Sequence, residues 1–178
     1  SKDKLMQTLN ELEATSTTKY LAAYEQVREN FKMVFRSLFT DDDDCDLVIE
    51  NPGTPLDSDI GIIARPKGKR PQSLSQLSGG EKTLTAIAFL FSLYLLKPAP
   101  FCIFDELDAP LDDINVEKLN KIIRKFSKES QFIIITHNKA TMAEVDVMYG
   151  VYMEQQGISG LSMVDFRSFE HNLVLEKV

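Results

Sequence analysis

The sequence predicts an α/β fold: a mostly parallel sheet flanked by helices, entered through an N-terminal helix derived from a coiled coil. Three observations carry this. Two short apolar runs, Phe101–Phe104 and Phe132–Ile135, each end directly in polar residues. Between them Val116, Leu119, Ile122, Ile123 and Phe126 mark an amphipathic helix, so 101–136 reads as a β-α-β unit with a right-handed crossover. Upstream, Tyr20, Tyr24, Val27, Phe31, Val34 and Leu38 step by 4, 3, 4, 3, 4, the spacing of a coiled-coil seam.

A chain of 178 residues makes one domain, or one large lobe of a split domain. Its 43 % hydrophobic content fits a globular core. A net charge of −7 argues against a surface that binds nucleic acid throughout, so any contact with DNA must be local. Cys45 and Cys102 lie far apart, which suggests neither a disulfide framework nor a metal site and fits a reducing compartment. No signal peptide, apolar run of membrane-spanning length or internal repeat is found, so the expectation is a soluble protein with no membrane partner, cytoplasmic or nucleoid-associated.

Along the N-terminal stretch Leu5, Leu9 and Leu12 show the same spacing as the later stripe but out of phase with it. The intervening ATSTT, 14–18, is a poor helix and predicts a stutter or the end of a coiled coil, with 1–15 as coil and 19–39 packed on a domain. TDDDDCD at 40–46 reads as a solvated acidic turn; the crowded aspartates lack the alternating ligands and glycine of a calcium loop. Strands are expected at Leu47–Glu50 and Asp59–Arg65, across a turn rich in Pro and Gly. ARPKGKRPQS, 64–73, places Arg65, Lys67, Lys69 and Arg70 in a proline-broken loop, a solvated loop before it is a phosphate-contacting one.

LSGGEK, 77–82, opens a helix with Leu84, Ile87, Ala88, Phe91 and Leu95 near a 3.6-residue repeat and no proline before Pro98. Ser78 and Glu81 stand in the S-x-x-E arrangement of a capping box. Gly79 and Gly80 then occupy the first turn, where each costs up to about 1 kcal/mol relative to alanine. An ordinary cap does not need them. They make sense if an anion such as phosphate must approach the unpaired N–H groups of the helix start.

PFCIFDELDAPLDD, 100–113, delivers Asp105 and Glu106 at the carboxyl end of an apolar strand, where ligands bind in open α/β sheets. An aspartate there can orient Mg²⁺, and the next carboxylate can accept a proton from an attacking water. QFIIITHN, 131–138, repeats the design with Thr136 and His137.

Together these stretches resemble the ATP-binding-cassette (ABC) ATPases, and within them the C-terminal ATPase head lobe of SMC (structural maintenance of chromosomes) proteins. LSGGEKTLTAIAFLF resembles the signature motif with its helix, FCIFDE the Walker B strand, APLDD the D-loop and THN the switch histidine. DELDAPLDD and SQFIIITHNKATM resemble SMC heads more than transporter subunits, and FKMVFRSLF resembles the point where a returning coiled coil enters a head. The likeness runs from about Phe31 to Leu161. Pro110 departs from the common AALDD and stiffens the turn. No G-x-x-x-x-G-K-[ST] phosphate loop occurs, since Gly68–Lys69 is followed by arginine and lacks the earlier glycine.

The resemblance implies residues 1–18 as the end of a coiled coil and 19–178 as the C-terminal half of an ABC ATPase head whose Walker A half lies elsewhere. It implies ATP and Mg²⁺ as cofactors. Ser78, Gly79 and Gly80, with Glu81 completing the motif, would meet the γ-phosphate of ATP on a facing head. Asp105 would hold Mg²⁺, Glu106 the hydrolytic water and His137 the γ-phosphate, while Leu111 and Asp112 line the dimer seam. The implied partners are the N-terminal half of the same head, a second head in an ATP-sandwiched homodimer of bacterial condensin type, the winged-helix domain of a kleisin, and DNA. The implied function is ATP-driven head dimerisation that gates DNA entrapment in chromosome condensation and segregation. Two other classes stay open: the catalytic lobe of another ABC protein, such as a DNA-repair ATPase, and a non-enzymatic kleisin-binding module.

Overall fold

The computed structural model describes residues 2–66, 70 and 72–167. Its first element, α1 (Lys2–Leu38), passes unbroken through 14–18, where the sequence predicts a stutter or an end. The hydroxyls of Thr15 and Thr18 donate to the carbonyls of Glu11 and Ala14, at 2.7 and 2.9 Å. Satisfied within the helix in this way, they do not draw its backbone into a turn. The change of phase shows in burial instead. Leu5, Leu9 and Leu12 are 51–62 % exposed, whereas Val27, Phe31, Val34, Phe35 and Leu38 are buried.

That buried face packs on α2 (Gly79–Leu96), which buries Leu84, Ile87, Ala88 and Phe91. Phe31 meets Phe89 edge-on at 6.0 Å. Phe91 sits at the centre of the core, with ring centroids of Phe104, Phe126 and Phe132 at 5.8, 5.4 and 6.2 Å. These rings bind α2 to a parallel pair, β4 (Phe101–Asp105) and β5 (Gln131–Ile135), and to the helix α3 (Asp113–Phe126) between them. The β-α-β unit is as the sequence predicts, registered from Phe101 opposite Gln131 to Asp105 opposite Ile135.

Parallel pairing, expected for most of the sheet, is confined among the described residues to β4 and β5. Parallel strands are normally covered on both faces. Here Cys102, Phe104, Phe132 and Ile134 face the core side, while Phe101, Ile103, Ile133 and Ile135 remain 43–58 % exposed.

A second sheet is antiparallel, β1 (Asp44–Ile49) against β2 (Ile60–Arg65) and β2 against the short β3 (Gln72–Ser73). Its first strand begins inside the acidic run, which corrects the reading of 40–46 as a solvated turn. Asp43 is buried and accepts from Thr40 Oγ1 at 2.7 Å. Asp46 takes both arms of Arg28, whose Nη2 lies 2.7 Å from Oδ2. Cys45 between them is buried, and burial pushes its thiol well above the ordinary range, so it is an inert core residue.

The Arg28 guanidinium holds the Asp46 carboxyl below the usual carboxylate range. A depressed folded pKa gives stability that is present above the unfolded value of about 3.9 and lost as the pH falls below it. Arg28→Met is therefore expected to lower the melting temperature at neutral pH and to flatten the acid limb of stability below about pH 4. An acid limb identical to the parent's would show that the pair contributes nothing.

The chain then adds a short helix, α4 (Lys139–Ala143), capped by Asn138, and a hairpin of β6 (Val147–Gln155) and β7 (Ile158–Asp165). The hairpin turns at Gly157, whose φ of 85° suits glycine. Sequence reasoning did not find it. Tyr149, Val151, Met153, Leu161 and Met163 on it are 59–74 % exposed. Among the described residues no helix is long and apolar enough to cross a membrane. Lys67, Lys69 and 172–178 lie outside the described residues; Arg65 and Arg70 are exposed.

Candidate functional site

The carboxyl ends of β4 and β5 lie side by side, which brings the turn at 106–112 against the one at 136–138. Asp105 closes β4 and is exposed. Glu106 follows with φ +48°, and is the one non-glycine residue with positive φ among those described. Such a conformation is sparsely populated by side-chain-bearing residues and persists where the surroundings enforce it. Two backbone bonds do so: the Glu106 N–H donates to the Ile135 carbonyl at 2.8 Å, and the Glu106 carbonyl accepts from Ala109 N–H at 3.1 Å. Its carboxylate is thereby presented to solvent, with Oε1 3.7 Å from His137 Nδ1. The structure thus joins the two residues that the sequence suggests as catalytic.

Ser78 is the N-cap of α2, and the predicted capping box is complete. Its Oγ accepts from the Glu81 N–H at 3.4 Å and donates to Glu81 Oε2 at 2.9 Å, while its own N–H donates to the same oxygen at 3.1 Å. Among the described residues neither sterics nor backbone conformation requires the glycines after it. A Cβ on Gly79 would meet nothing within 4 Å, one on Gly80 only the Pro110 carbonyl at 4.0 Å, and neither residue has positive φ. Because Ser78 Oγ takes the Glu81 N–H, it is the N–H groups of Gly79 and Gly80 that an outside anion could meet. The Gly80–Pro110 approach also places the start of α2 beside the 106–112 turn.

Leu111 is half-buried against the core. Asp112 is the N-cap of α3, its Oδ1 accepting from the Asn115 N–H at 2.9 Å, so a local structural role accounts for it as well. Sequence reasoning passed over Asp108. It is 2 % exposed, and its Oδ2 accepts from Thr136 Oγ1 at 2.7 Å and from Thr141 Oγ1. The only available signal was a carboxylate with two threonines flanking a later histidine, and their meeting is tertiary.

Among the described residues no group of three or more His, Cys, Asp or Glu is arranged to hold a metal ion. Mg²⁺ is usually held by one or two protein carboxylates with phosphates and waters making up the octahedron. Asp105 fits the part of one such ligand and cannot form a complete site. The chain likewise has no phosphate loop to hold a nucleotide by itself.

The sequence matches the family described as RecF/RecN/SMC N terminal domain over residues 2–160. The chromosome partition protein Smc of Chlorobaculum tepidum is 48 % identical over 159 residues, which make up 89 % of this chain and 13 % of that protein. The chain therefore spans a small part of the relatives it matches. The Smc head domain of Pyrococcus furiosus, with an extended coiled coil and bound to the C-terminal domain of ScpA, superposes with a TM-score of 0.88 at 36 % identity, over 99 % of this chain and 44 % of that one. A chain from a structural study of ATP-driven dimerization and DNA-stimulated activation of SMC ATPases has a TM-score of 0.76 at 36 % identity, over 90 % of this chain and 97 % of its own length. The family description names an N-terminal domain, in place of the C-terminal lobe expected from the motifs; the SMC head is common to both.

Proposed function

The chain belongs to the RecF/RecN/SMC family, and from that premise we propose that it is the head lobe supplying the signature, Walker B, D-loop and switch-histidine elements of an SMC ATPase. The observation that carries this reading is Glu106, held at φ +48° on the end of a parallel strand and facing His137. In this reading Glu106 accepts the proton of the attacking water, and His137 bonds the γ-phosphate and steadies that carboxylate. Asp105 orients Mg²⁺, which when bound neutralises charge on the phosphates. Ser78 and the Gly79 and Gly80 amides meet the γ-phosphate held by a facing head, next to the seam formed by Leu111 and Asp112.

The lobe is incomplete by itself. The exposed face of β4 and β5 calls for a covering layer, and the missing phosphate loop calls for a polypeptide that carries one. Two coverages support this: less than half of the P. furiosus head chain is matched, but 97 % of a separately solved chain of the family. We place the chain on the C-terminal side of the parent protein because its motifs are those that follow the phosphate loop in the family's order. The gene sequence on either side tests that placement. The wider partners are a second copy of the head, a kleisin winged-helix domain and DNA, in the cytoplasm at the nucleoid, serving chromosome segregation.

A second reading, a docking module for a kleisin without catalysis, draws on the ScpA-bound relative and on the exposed β6–β7 hairpin. The two separate by experiment. Mixing this chain with a lobe that carries the phosphate loop is expected to give Mg²⁺-dependent ATP turnover that neither partner has alone. A stable complex that binds a kleisin fragment but never turns over ATP would favour the docking module.

A further inference from the structure

We infer that Asp108 is a positioning residue that sets Glu106 and His137 against each other, an assignment that rests on the catalytic reading of those two side chains. The carboxylate is almost fully buried, although burial of a charge is costly unless hydrogen bonds compensate it. Its compensation comes from the hydroxyls of Thr136 and Thr141, 28 and 33 residues further along the chain. These bonds cross from the turn after β4 to the turn after β5 and to α4.

The circuit closes around the histidine. Thr136 Oγ1 accepts from the Asn138 N–H at 2.9 Å, and Asn138 Oδ1 in turn accepts from the N–H groups of Ala140 and Thr141 at 2.8 and 3.4 Å. His137 is thus pinned on both sides, through Thr136 and Asn138, by a network that ends on Asp108. On the other limb, the backbone bonds from the Leu111 N–H to the Asp108 carbonyl at 3.1 Å and from the Ala109 N–H to the Glu106 carbonyl shape the turn that keeps Glu106 left-handed, and the Asp108 carboxylate ties that turn to the one carrying His137. Both functional side chains are themselves well exposed, Glu106 at 61 % and His137 at 76 %. Beyond the 3.7 Å approach of one to the other, no side-chain hydrogen bond among the described residues fixes them. The buried clamp beneath them does, and a displacement of about 1 Å at such a site costs up to about 100-fold in rate.

The test uses the full-length protein that contains this chain. Asp108→Ala is expected to lower kcat about 10- to 100-fold with the KM for ATP unchanged. Asp108→Asn, whose amide oxygen can accept the same two hydroxyls, is expected to keep most of the rate. Thr136→Val removes one hydroxyl at constant volume, lowers kcat in the same direction, and decides the matter if Asp108→Ala does not fold. In a Glu106→Gln background Asp108→Ala should lower the rate by a clearly smaller factor, because one of the two groups it positions is gone, while its effect on melting temperature persists. A parental kcat in folded Asp108→Ala or Thr136→Val, or an equal proportional loss in both backgrounds, overturns the assignment. Glu106→Gln at the parental rate overturns instead the catalytic reading beneath it.

Discussion

Glu106→Gln in the full-length protein is expected to slow ATP turnover by about 10²–10⁴-fold, the usual cost of losing a general base, while ATP-bound dimers accumulate. The substitution keeps size and hydrogen bonding but removes the proton acceptor. The backbone bonds that hold residue 106 left-handed, from its N–H to Ile135 and from Ala109 to its carbonyl, do not involve the side chain. The turn therefore survives and the loss is chemical. Turnover and the dimer fraction by size-exclusion light scattering are read on the same preparation. Parental turnover would move the base elsewhere, and slow turnover without dimers would mean that residue 106 acts in binding.

Ser78→Arg separates the cap from the contact across the dimer. If Ser78 is a helix cap alone, the substitution costs about 0.5–2 kcal/mol of stability, and dimerisation falls no further than unfolding explains. If its hydroxyl and the glycine amides reach a phosphate on the facing head, the arginine blocks that approach by bulk, despite its attractive charge. The open space over Gly79 favours the second outcome, since among the described residues nothing within 4 Å would meet a Cβ there. ATP affinity, melting temperature and dimer fraction are measured in the Glu106→Gln background. The expected result is normal affinity, a small shift in melting and no dimers. Intact dimers would leave the glycine pair without a function.

The parts of the fold that sequence made legible are those whose signal is local. The capping box of Ser78 and Glu81 needs four consecutive residues, and the β4-α3-β5 unit announces itself through apolar runs that stop abruptly at Asp105 and Thr136. Asp105, Glu106 and His137 stand out in the sequence for the same reason, as polar groups at or just beyond strand ends, and the structure places them there. The rest depended on distant partners. TDDDDCD reads as solvated until Arg28, 18 residues away from Asp46, reaches across to it. ATSTT reads as a break because the bonds from Thr15 and Thr18 to their own helix are invisible in composition. In the hairpin, glycines within the strands weaken the pattern; at Gly160 a Cβ would fall 2.5 Å from the ring of Tyr152, which packs over it. Asp108 was passed over because its partners come from the turn after β5 and from α4.

The central claim is that this chain carries half of a nucleotide site. Isothermal titration of ATP with Mg²⁺ into the isolated chain, its fold confirmed by circular dichroism, tests it most directly. The account predicts no binding at micromolar concentrations, and binding once a lobe bearing the phosphate loop is added. Micromolar affinity in the isolated chain would contradict it.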